Sequence, residues 1–388
     1  MRILHLCSYP LYSGPLPPTL GLAMAQRALG HTVWLAYDVK RGAFNAYEEA
    51  ATPWLVDKGL EPPVALTLSA KSTPIEYARD LGRLRGFMTR REVDVVHAHL
   101  SHDHGLLALA GNGHGAVTRV RTFHAARSLV RRFGQRWLTR RADGWILRAE
   151  EHRERLIASF GTPRELTCVV PGSIDADRFT PPAAGAREKA RRRLGVPLDA
   201  HVLGHVALIT DRGQFELVEA VKQMGDDAPH VLFIGRGENE DALRRTITEA
   251  GVGERTHMPG YQRGDMLLDT YAALDAAFVA QPGNDASARA ALEAMACGLP
   301  VLAIRAGPLA ELVDEDVGYP FAERAPESIG NALRTWMSSD DVGRSRGKAG
   351  RARVRAERTV AREAERTIAF YEDVMRTKTA EEPQFRKL

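Results

Sequence analysis

Short apolar runs alternate with longer amphipathic segments over the first 170 residues of the chain. The apolar runs predict strands at residues 2–8, 32–37, 93–99, 118–123, 144–148 and 167–170. The segments between them have apolar positions at helical spacing, for example at residues 20–29, 75–88 and 150–160. This alternation predicts an α/β fold with a doubly wound parallel sheet, and such sheets bind ligands at the carboxyl ends of their strands.

The pattern changes near residue 171 and then begins again. A Pro-Gly pair, a Pro-Pro pair and a short arginine-rich stretch predict a linker over residues 171–197. Further strands are predicted at residues 202–209, 230–235, 255–258, 276–280 and 301–304. We therefore predict two Rossmann-like domains, at residues 1–170 and 198–355, and a helix and tail at residues 356–388 that pack back toward the first domain.

Length and composition agree with a folded chain of two domains. The 388 residues suggest this number at about 150 residues per domain. Hydrophobic residues make up 44% of the chain and charged residues 26%, which excludes a disordered or collagen-like protein. The formal net charge is +4, and only eight of the 53 basic residues are lysines. An arginine excess can reflect anionic ligands or genome composition, and the sequence leaves both open.

The sequence predicts a protein of the cytoplasm. Its longest stretch without charged residues, at 3–26, is broken by four prolines and is therefore not a membrane span. A predicted strand begins at residue 2, without the apolar centre and cleavage site of a signal peptide. Cys7, Cys168 and Cys297 are far apart and lie in or beside apolar runs, so we predict neither a disulfide nor a zinc site.

The most informative segment lies in the second predicted domain, at residues 281–303. A Pro-Gly turn follows a predicted strand, a helix is predicted to begin near Ser287, and Gly298 with Pro300 ends it. The first turn of a helix carries partial positive charge and unpaired N–H groups. This helix is therefore suited to hold a phosphate or diphosphate.

Two acidic residues belong to the same segment. Asp285 comes just before the predicted helix, and Glu293 lies nearly two turns inside it. Taken alone, they have a simpler explanation, with Asp285 as an N-cap residue and Glu293 as the i+4 ion-pair partner of Arg289. The residues that follow Glu293 favour a functional role instead.

Glu293 stands eight positions after Asp285 and is followed at residues 294–301 by Ala-Met-Ala-Cys-Gly-Leu-Pro-Val. This pattern resembles the retaining glycosyltransferases of the GT-B fold, specifically glycosyltransferase family four (glycosyl transferases group 1). Asp285 takes the place of the glutamate that the family usually has. Other segments that resemble the family lie at residues 94–99, 121–124, 231–237, 258–261 and 310–313.

The resemblance implies an activity. A nucleotide-diphosphate sugar would lie in a central cleft, with its nucleotide on the second domain and its sugar facing an acceptor held by the first. A hexosyl group would pass, with retention of configuration, to a glycan, a lipid-linked sugar or a small molecule. Breaking the sugar–phosphate bond leaves negative charge on the diphosphate, which the site would stabilise without a metal or another cofactor. No nucleic-acid partner is implied.

The resemblance also implies roles for particular residues. His124 and Asp285 would be catalytic, with His124 near the reacting sugar and Asp285 in contact with the transferred sugar. Glu293 would hold the nucleotide ribose. The other donor-binding positions would be Arg212, Gly235, Gly237, Tyr261, Ser287, Ala288 and Arg289, and the first N-terminal loop would contribute Gly14.

One cationic position departs from the family pattern. Family members usually carry an arginine and a lysine, five residues apart, that contact the diphosphate. Here Arg212 takes the lysine position, and the arginine position falls on Ala207 or Leu208. We infer that Arg289 replaces the missing charge. Two alternatives stay open: a noncatalytic sugar-nucleotide-binding protein, and another GT-B enzyme such as a sugar-nucleotide epimerase.

Four histidines, His97, His99, His102 and His104, raise the question of a metal site. His97 and His99 share one face of a predicted strand, and the family that the chain resembles needs no metal. We therefore favour a structural role for the four. A nicotinamide enzyme is not predicted, because the first loop has no Gly-x-Gly-x-x-Gly.

A basic segment lies between Arg127 and Arg141. Within it Leu129, Phe133 and Trp137 recur every four residues among arginines, which predicts a basic amphipathic helix. Its apolar stripe packs on the first domain, or the segment contacts an anionic membrane surface or a phosphate-bearing acceptor. In the membrane case, the protein would be peripheral to the inner face of the cell membrane.

Overall fold

The structure is a computed structural model. It describes residues 1–9, 14–38, 66–69, 72–111, 117–125, 129, 134–281 and 285–385, with 285–287 and 380–385 described by their backbone. The chain divides into two compact units, one made of Met1–Gly172 with Val360–Leu388 and the other of Ser173–Thr359. Each unit is built on its own parallel sheet.

Six parallel strands form the sheet of the first unit, in the order β2-β1-β3-β4-β5-β6. They are β1 (Arg2–Cys7), β2 (Thr32–Tyr37), β3 (Val95–Ala98), β4 (Thr118–Phe123), β5 (Gly144–Leu147) and β6 (Thr167–Val169). The described helices that connect them are α1 (Leu16–Ala28), α2 (Pro74–Arg90), α3 (Ser101–Ala110), α4 (Gln135–Thr139) and α5 (Glu150–Phe160). The strand order reverses between β1 and β3, which lie side by side with His5 opposite His97.

A second sheet of six parallel strands forms the second unit, in the order β12-β11-β10-β7-β8-β9. The strands are β7 (Val202–Val206), β8 (His230–Ile234), β9 (Thr256–Gly260), β10 (Ala276–Val279), β11 (Val301–Ile304) and β12 (Gly318–Phe321). Its helices are α6 (Ala186–Leu194), α7 (Gln214–Met224), α8 (Glu240–Ala250), α9 (Asp265–Ala273), α10 (Asp285–Ala296), α11 (Pro308–Leu312), α12 (Pro326–Met337) and α13 (Asp340–Glu357).

Two strands of the second sheet differ most from the prediction. β12 was not predicted, because it has four residues and contains Pro320. A proline lacks the N–H that a central strand needs, and β12 accordingly lies at the edge of the sheet. β7 ends at Val206, so residues 207–209 of the predicted strand begin a loop.

Helix α6, which follows the proline pairs, is fastened to the second unit through Arg191. The guanidinium of Arg191 is buried and donates to the carbonyl oxygens of Ala273, Leu198 and Ala200 at 2.7 to 3.0 Å. It also pairs with Asp275 at 2.6 Å. Residues 173–197, most of the linker predicted at 171–197, therefore contribute packing and buried polar contacts to this unit.

The last helix, α14 (Val360–Phe385), belongs to the first unit. Phe370, Tyr371 and Val374 are buried in the core of that unit. Gly144, at the start of β5, lets the helix approach, because a Cβ at this position would lie 2.8 Å from Val374. The first unit is thus completed by residues from the far end of the chain.

The predicted basic helix between Arg127 and Arg141 is interrupted. Gly134 has a left-handed φ of +79°, which ends any helix that precedes it, and α4 covers only five residues. Leu129 is buried whereas Trp137 is 42% exposed, so these two do not share one packed face. Residues 126–128 and 130–133 lie outside the described residues. Among the helices that are described, none has both the length and the apolar character to cross a bilayer.

Candidate active site

The loops after β7 and β10 leave the second sheet at neighbouring positions. β8 and β9 extend the sheet on one side of β7, and β11 and β12 extend it on the far side of β10, so the strand order reverses between β7 and β10. Doubly wound sheets bind ligands at this point, outside the carboxyl ends of the strands. α7 and α10 follow these two strands, and the first turns of helices favour anions.

Gly235 and Gly237 allow the loop after β8 to cross the loop after β7. A Cβ on Gly235 would lie 1.9 Å from the carbonyl oxygen of Ala207, and one on Gly237 would lie 2.1 Å from that of Ile209. The Ile209 N–H donates to the carbonyl oxygen of Arg236 at 3.0 Å. Both glycines therefore shape the loop that leads to Arg212, and a direct contact of either glycine with a donor stays a prediction.

Arg212 lies at the end of this loop, two residues before the start of α7. Its Nε donates to Thr210 Oγ1 at 3.3 Å, and its backbone N–H donates to Gln214 Oε1 at 2.8 Å. The next residue, Gly213, has a φ of +96°, and a Cβ there would lie 2.5 Å from Cβ of Ala280. Arg212 is thereby held at the reversal point, next to the chain that leads from β10 into α10.

Glu293 lies on α10 and is buried. Its Oε2 accepts a hydrogen bond from the hydroxyl of Tyr271 at 2.9 Å, and its Oε1 accepts from Nε of Arg289 at 3.2 Å. Burial and the Glu293 charge raise the pKa of Tyr271, so the hydroxyl keeps its proton and donates. The i, i+4 ion pair considered from the sequence is thus present. The Arg289 side chain is nevertheless 40% exposed and accessible to a ligand.

α10 begins two residues earlier than predicted. Asp285 is its first residue, so Asp285 is not the N-cap that the sequence suggested. Ser287 lies in the first turn, and the Asp285 and Ser287 side chains lie outside what the structure describes. Ala288 is buried, which leaves its backbone as the group suited to a ligand. Tyr261 follows β9 and is 48% exposed.

In the first unit, His124 follows β4 and is half-buried at the carboxyl end of the sheet. Its Nε2 lies 3.0 Å from Nδ1 of His99, whose Nε2 lies 3.0 Å from Nδ1 of His5. Nε2 of His5 lies 2.8 Å from Oε1 of Gln26 on α1. His5, His99 and Gln26 are buried. A continuous chain of hydrogen bonds therefore connects His124 to the interior.

His97 lies beside this chain but bonds elsewhere. Its Nδ1 lies 2.6 Å from the hydroxyl of Tyr371, its Nε2 lies 2.6 Å from Thr122 Oγ1, and its ring lies 4.2 Å from that of His99. One nitrogen each from His5, His97 and His99 lie within 4.8 Å of one another, a spacing that metal ligands can have. Both nitrogens of all three rings already have hydrogen-bond partners, so the cluster is satisfied without an ion.

The other two histidines of the predicted group lie on α3 and join different neighbours. The ring of His102 lies 5.5 Å from that of Tyr77, and the ring of His104 lies 5.2 Å from that of Trp145. Gly14, two residues before α1, has a φ of +55°, and a Cβ there would lie 3.3 Å from the ring of Tyr9. Its predicted role in a ligand loop stays a prediction, since residues 10–13 lie outside the described residues.

Two protein-family models match the chain. The model described as Glycosyltransferase Family 4 matches residues 19–178, and the model described as Glycosyl transferases group 1 matches residues 186–353. The chain belongs to glycosyltransferase family four. The family named from the motif around Asp285 and Glu293 is thereby confirmed.

Several curated family members are similar over much of the chain. The D-inositol 3-phosphate glycosyltransferase of Geodermatophilus obscurus is 30% identical over 275 residues, covering 64% of this chain and 60% of that one. The enzyme of the same name from Xylanimonas cellulosilytica is 33% identical over 264 residues, covering 61% and 62%. The chain thus spans less than two thirds of the length of these two relatives.

Solved structures share the fold. A glycosyltransferase from Rickettsia africae has a TM-score of 0.80 at 16% identity, covering 96% of this chain and 99% of that one. Anabaena HepE, in complex with UDP and glucose, has a TM-score of 0.77 at 20% identity, covering 95% and 98%. The predicted α/β class, GT-B with two doubly wound Rossmann-like domains and C-terminal helices, is confirmed for this family-four chain.

Sequence reasoning missed three residues that support the site. Tyr271, on α9, donates a hydrogen bond to Glu293. The two residues are 22 positions apart, and no local sequence pattern connects them. His5 and Gln26 extend the chain behind His124. The strand order β1-β3 would have indicated His5, because it places that residue directly opposite His97 in the sheet.

Proposed function

We propose that this protein transfers a hexosyl group from a nucleotide-diphosphate sugar to an acceptor, with retention of anomeric configuration. The observation that carries the proposal is the placement of Glu293. This carboxylate lies in the family-four motif, follows the strand at the reversal point of the sheet, and is held by Tyr271 and Arg289. A carboxylate fixed by two donors is positioned to accept hydrogen bonds from the ribose hydroxyls of a nucleotide.

The leaving diphosphate is the chemical demand of this reaction, because its negative charge grows as the sugar–phosphate bond breaks. We propose that Arg212, Arg289 and the first turns of α7 and α10 stabilise this charge without a bound metal. Asp285 would contact the transferred sugar, and His124 would hydrogen-bond the reacting sugar or the acceptor. Tyr261, Ser287 and the Ala288 backbone would complete the donor site.

The comparisons indicate where to begin a substrate search. HepE is described in complexes with UDP, with UDP and glucose, and with UDP-glucose, so UDP-sugars are the first donors to test. The curated relatives are named for D-inositol 3-phosphate, so a phosphorylated polyol is the first acceptor to test. Glycan and lipid-linked acceptors complete the panel.

A donor panel tests the function directly. Purified protein is incubated with nucleotide sugars, with and without acceptors, and the release of nucleoside diphosphate is measured. NMR of the glycoside then reports the anomeric configuration of the product. We expect retention and a rate that EDTA leaves unchanged. Tight binding of a nucleotide sugar without release of diphosphate under any condition would favour the noncatalytic alternative.

The two arginines give a sharper prediction. A hydrogen bond to a charged group is worth about 1.5 to 3 kcal/mol, and about 1.4 kcal/mol corresponds to a factor of ten in rate. We therefore expect Arg212→Ala and Arg289→Ala each to lower transfer efficiency about tenfold or more. Arg344 on α13 is the matched control, since it is also exposed and paired with a carboxylate, that of Asp341, within its own helix. Normal turnover of Arg289→Ala would show that Arg289 pairs with Glu293 but does not stabilise the leaving diphosphate.

We also propose that the segment around Trp137 contacts anionic membranes. Trp137 is exposed between the exposed residues Arg136 and Arg140, and the Arg141 guanidinium lies 5.0 Å from the centre of its ring. Each basic residue near an anionic surface contributes about 1 kcal/mol. We expect binding to anionic vesicles but not to neutral ones, weakened by salt and by Arg136→Gln with Arg140→Gln. Equal binding to both vesicle types, or binding to neither, would contradict the membrane contact and favour contact of this segment with a soluble acceptor.

A further inference from the structure

We propose that Gln26, His5 and His99 are positioning residues that keep the proton of neutral His124 on Nε2 and leave the lone pair on Nδ1. The inference concerns the protonation pattern of the free protein. Its consequence for catalysis rests on the proposed function. It is supported by the geometry of the hydrogen-bond chain, by the neutrality of His5 and His99, and by the acceptor at the inner end, Gln26.

The hydrogen bonds form one unbranched chain. The three nitrogen-to-acceptor distances are 2.8, 3.0 and 3.0 Å, from Gln26 through His5 and His99 to His124. Both nitrogens of His5 and both nitrogens of His99 form hydrogen bonds within this chain. The neighbouring ring of His97 offers no side branch, because its own nitrogens bond to Tyr371 and Thr122.

Each inner imidazole carries one proton only. Burial lowers the pKa of His5 to about 4 and that of His99 well below its ordinary value. Repulsion from any neighbouring histidine that gains a proton, and from the buried guanidinium of Arg148, lowers the pKa of His99 further. A neutral imidazole has one N–H donor and one lone-pair acceptor. At neutral pH, the proton on one nitrogen of either ring therefore decides what the other nitrogen can do.

The acceptor at the inner end sets the direction. In the orientation that the structure gives to the Gln26 amide, Oε1 faces His5. Because Oε1 has no proton, Nε2 of His5 donates to it and Nδ1 of His5 accepts. Nε2 of His99 then donates to His5, and Nδ1 of His99 accepts from Nε2 of His124. Neutral His124 is left with its lone pair on Nδ1. The opposite orientation of the Gln26 amide would reverse every bond, which makes the direction measurable at His124.

A fixed tautomer matters because His124 lies at the carboxyl end of the first sheet, where ligands bind. If the protein transfers sugars as proposed, Nδ1 is prepared to accept a hydrogen bond from a sugar or acceptor hydroxyl. The wrong tautomer would present an N–H donor at the same place. The chain of hydrogen bonds thus selects between the two hydrogen-bonding patterns of a neutral His124 ring.

NMR tests the tautomer independently of activity. Protein labelled with ¹⁵N-histidine is recorded at pH 7.5 in a long-range ¹H–¹⁵N correlation experiment, and His124 is identified from the spectrum of His124→Gln. We expect His124 protonated on Nε2 in the unsubstituted protein. Protonation on Nδ1 would overturn the proposal, and the tautomer itself is measured in the unsubstituted protein.

Two variants test the cause. Gln26→Met removes the terminal acceptor and His5→Phe removes the middle ring, so each is expected to raise the Nδ1–H fraction of His124. Thr122→Val is the matched control, because it removes a bond to the buried His97 and leaves the chain intact. A His124 tautomer that stays the same in correctly folded Gln26→Met and His5→Phe would overturn the proposal.

Measurements of kcat and KM distinguish a failure of this proposal from a failure of the proposed function. Gln26→Met is expected to lower kcat for transfer about tenfold, with KM for the donor and the kcat of Thr122→Val unchanged. A shifted tautomer with unaltered kcat would contradict the catalytic consequence alone. Absence of transfer in the unsubstituted protein would contradict the proposed function, while the NMR result would still decide the direction of the chain.

Discussion

Transfer activity is expected to fall about 10- to 150-fold when Glu293 is replaced by glutamine, from the loss of about 1.5 to 3 kcal/mol of charge-assisted binding to the donor. The amide oxygen of the new side chain can still accept from Tyr271, so the Tm should change little. Steady-state kinetics with varied donor, together with thermal unfolding, measures both quantities. Asp285→Asn is expected to follow the same pattern.

Tyr271→Phe is the matched control for Glu293. It removes the hydroxyl that donates to Glu293 but keeps the carboxylate and the buried ring. We expect about 1 kcal/mol less free energy of unfolding and a much smaller loss of activity than in Glu293→Gln. If Glu293→Gln keeps full activity, or if Tyr271→Phe loses as much activity, then Glu293 serves α10 and α9 rather than the donor.

Acidification from pH 7 to pH 4.5 is expected to destabilise the first unit more than the second. Burial lowers the pKa furthest in four histidines of the first unit, His5, His97, His99 and His104, and in His205 of the second. Below pH about 6.5 these residues bind protons in the unfolded chain but not in the folded one. Their contribution to stability is therefore complete above that pH and declines toward pH 4.

The size of this effect follows from His5, whose pKa of about 4 in the folded unit is well below the ordinary 6.5. At 1.36 kcal/mol per pKa unit, the difference corresponds to about 3 kcal/mol. Asp103 opposes the trend, because burial raises its pKa to about 6 and the folded state then binds the extra proton. One carboxyl offsets only part of what four histidines lose.

Hydrogen exchange followed by mass spectrometry resolves the two units and measures the prediction from pH 7 to pH 4.5. His104→Phe provides the control, since the ring contact with Trp145 is kept and one titrating group is removed. We expect this variant to lose protection less steeply in the first unit and to leave the second unit unaltered. Parallel loss in both units, or an unchanged slope in His104→Phe, would contradict the assignment to buried histidines.

The success of the sequence prediction depended on how local each signal was. The strands rich in Val, Ile and Leu and the motif around Glu293 were predictable because their signals lie within a few consecutive residues. β12 escaped notice because Pro320 interrupts a run of only four residues. The prediction of one continuous basic helix was wrong because Gly134 adopts a left-handed conformation, which a helix does not accommodate, whatever the spacing of the apolar residues on either side.

The supporting contacts of the site could not be predicted in the same way. Tyr271 and Glu293 belong to different helices, and Gln26, His5 and His99 come together only through the strand order. Their pairing depends on tertiary packing, which leaves no mark at a fixed spacing. The Arg289–Glu293 pair, four residues apart on one helix, was by contrast visible from the sequence.

The position of α14 has a consequence for the order in which the protein forms during synthesis. A ribosome completes residues 1–172 first, yet the core that they build lacks Phe370, Tyr371 and Val374 until α14 emerges. His97 likewise has no tyrosine partner until that moment. The second unit, a continuous stretch of chain, has all of its own residues earlier. Of the two units, the one whose translation begins first is therefore the one that is completed last.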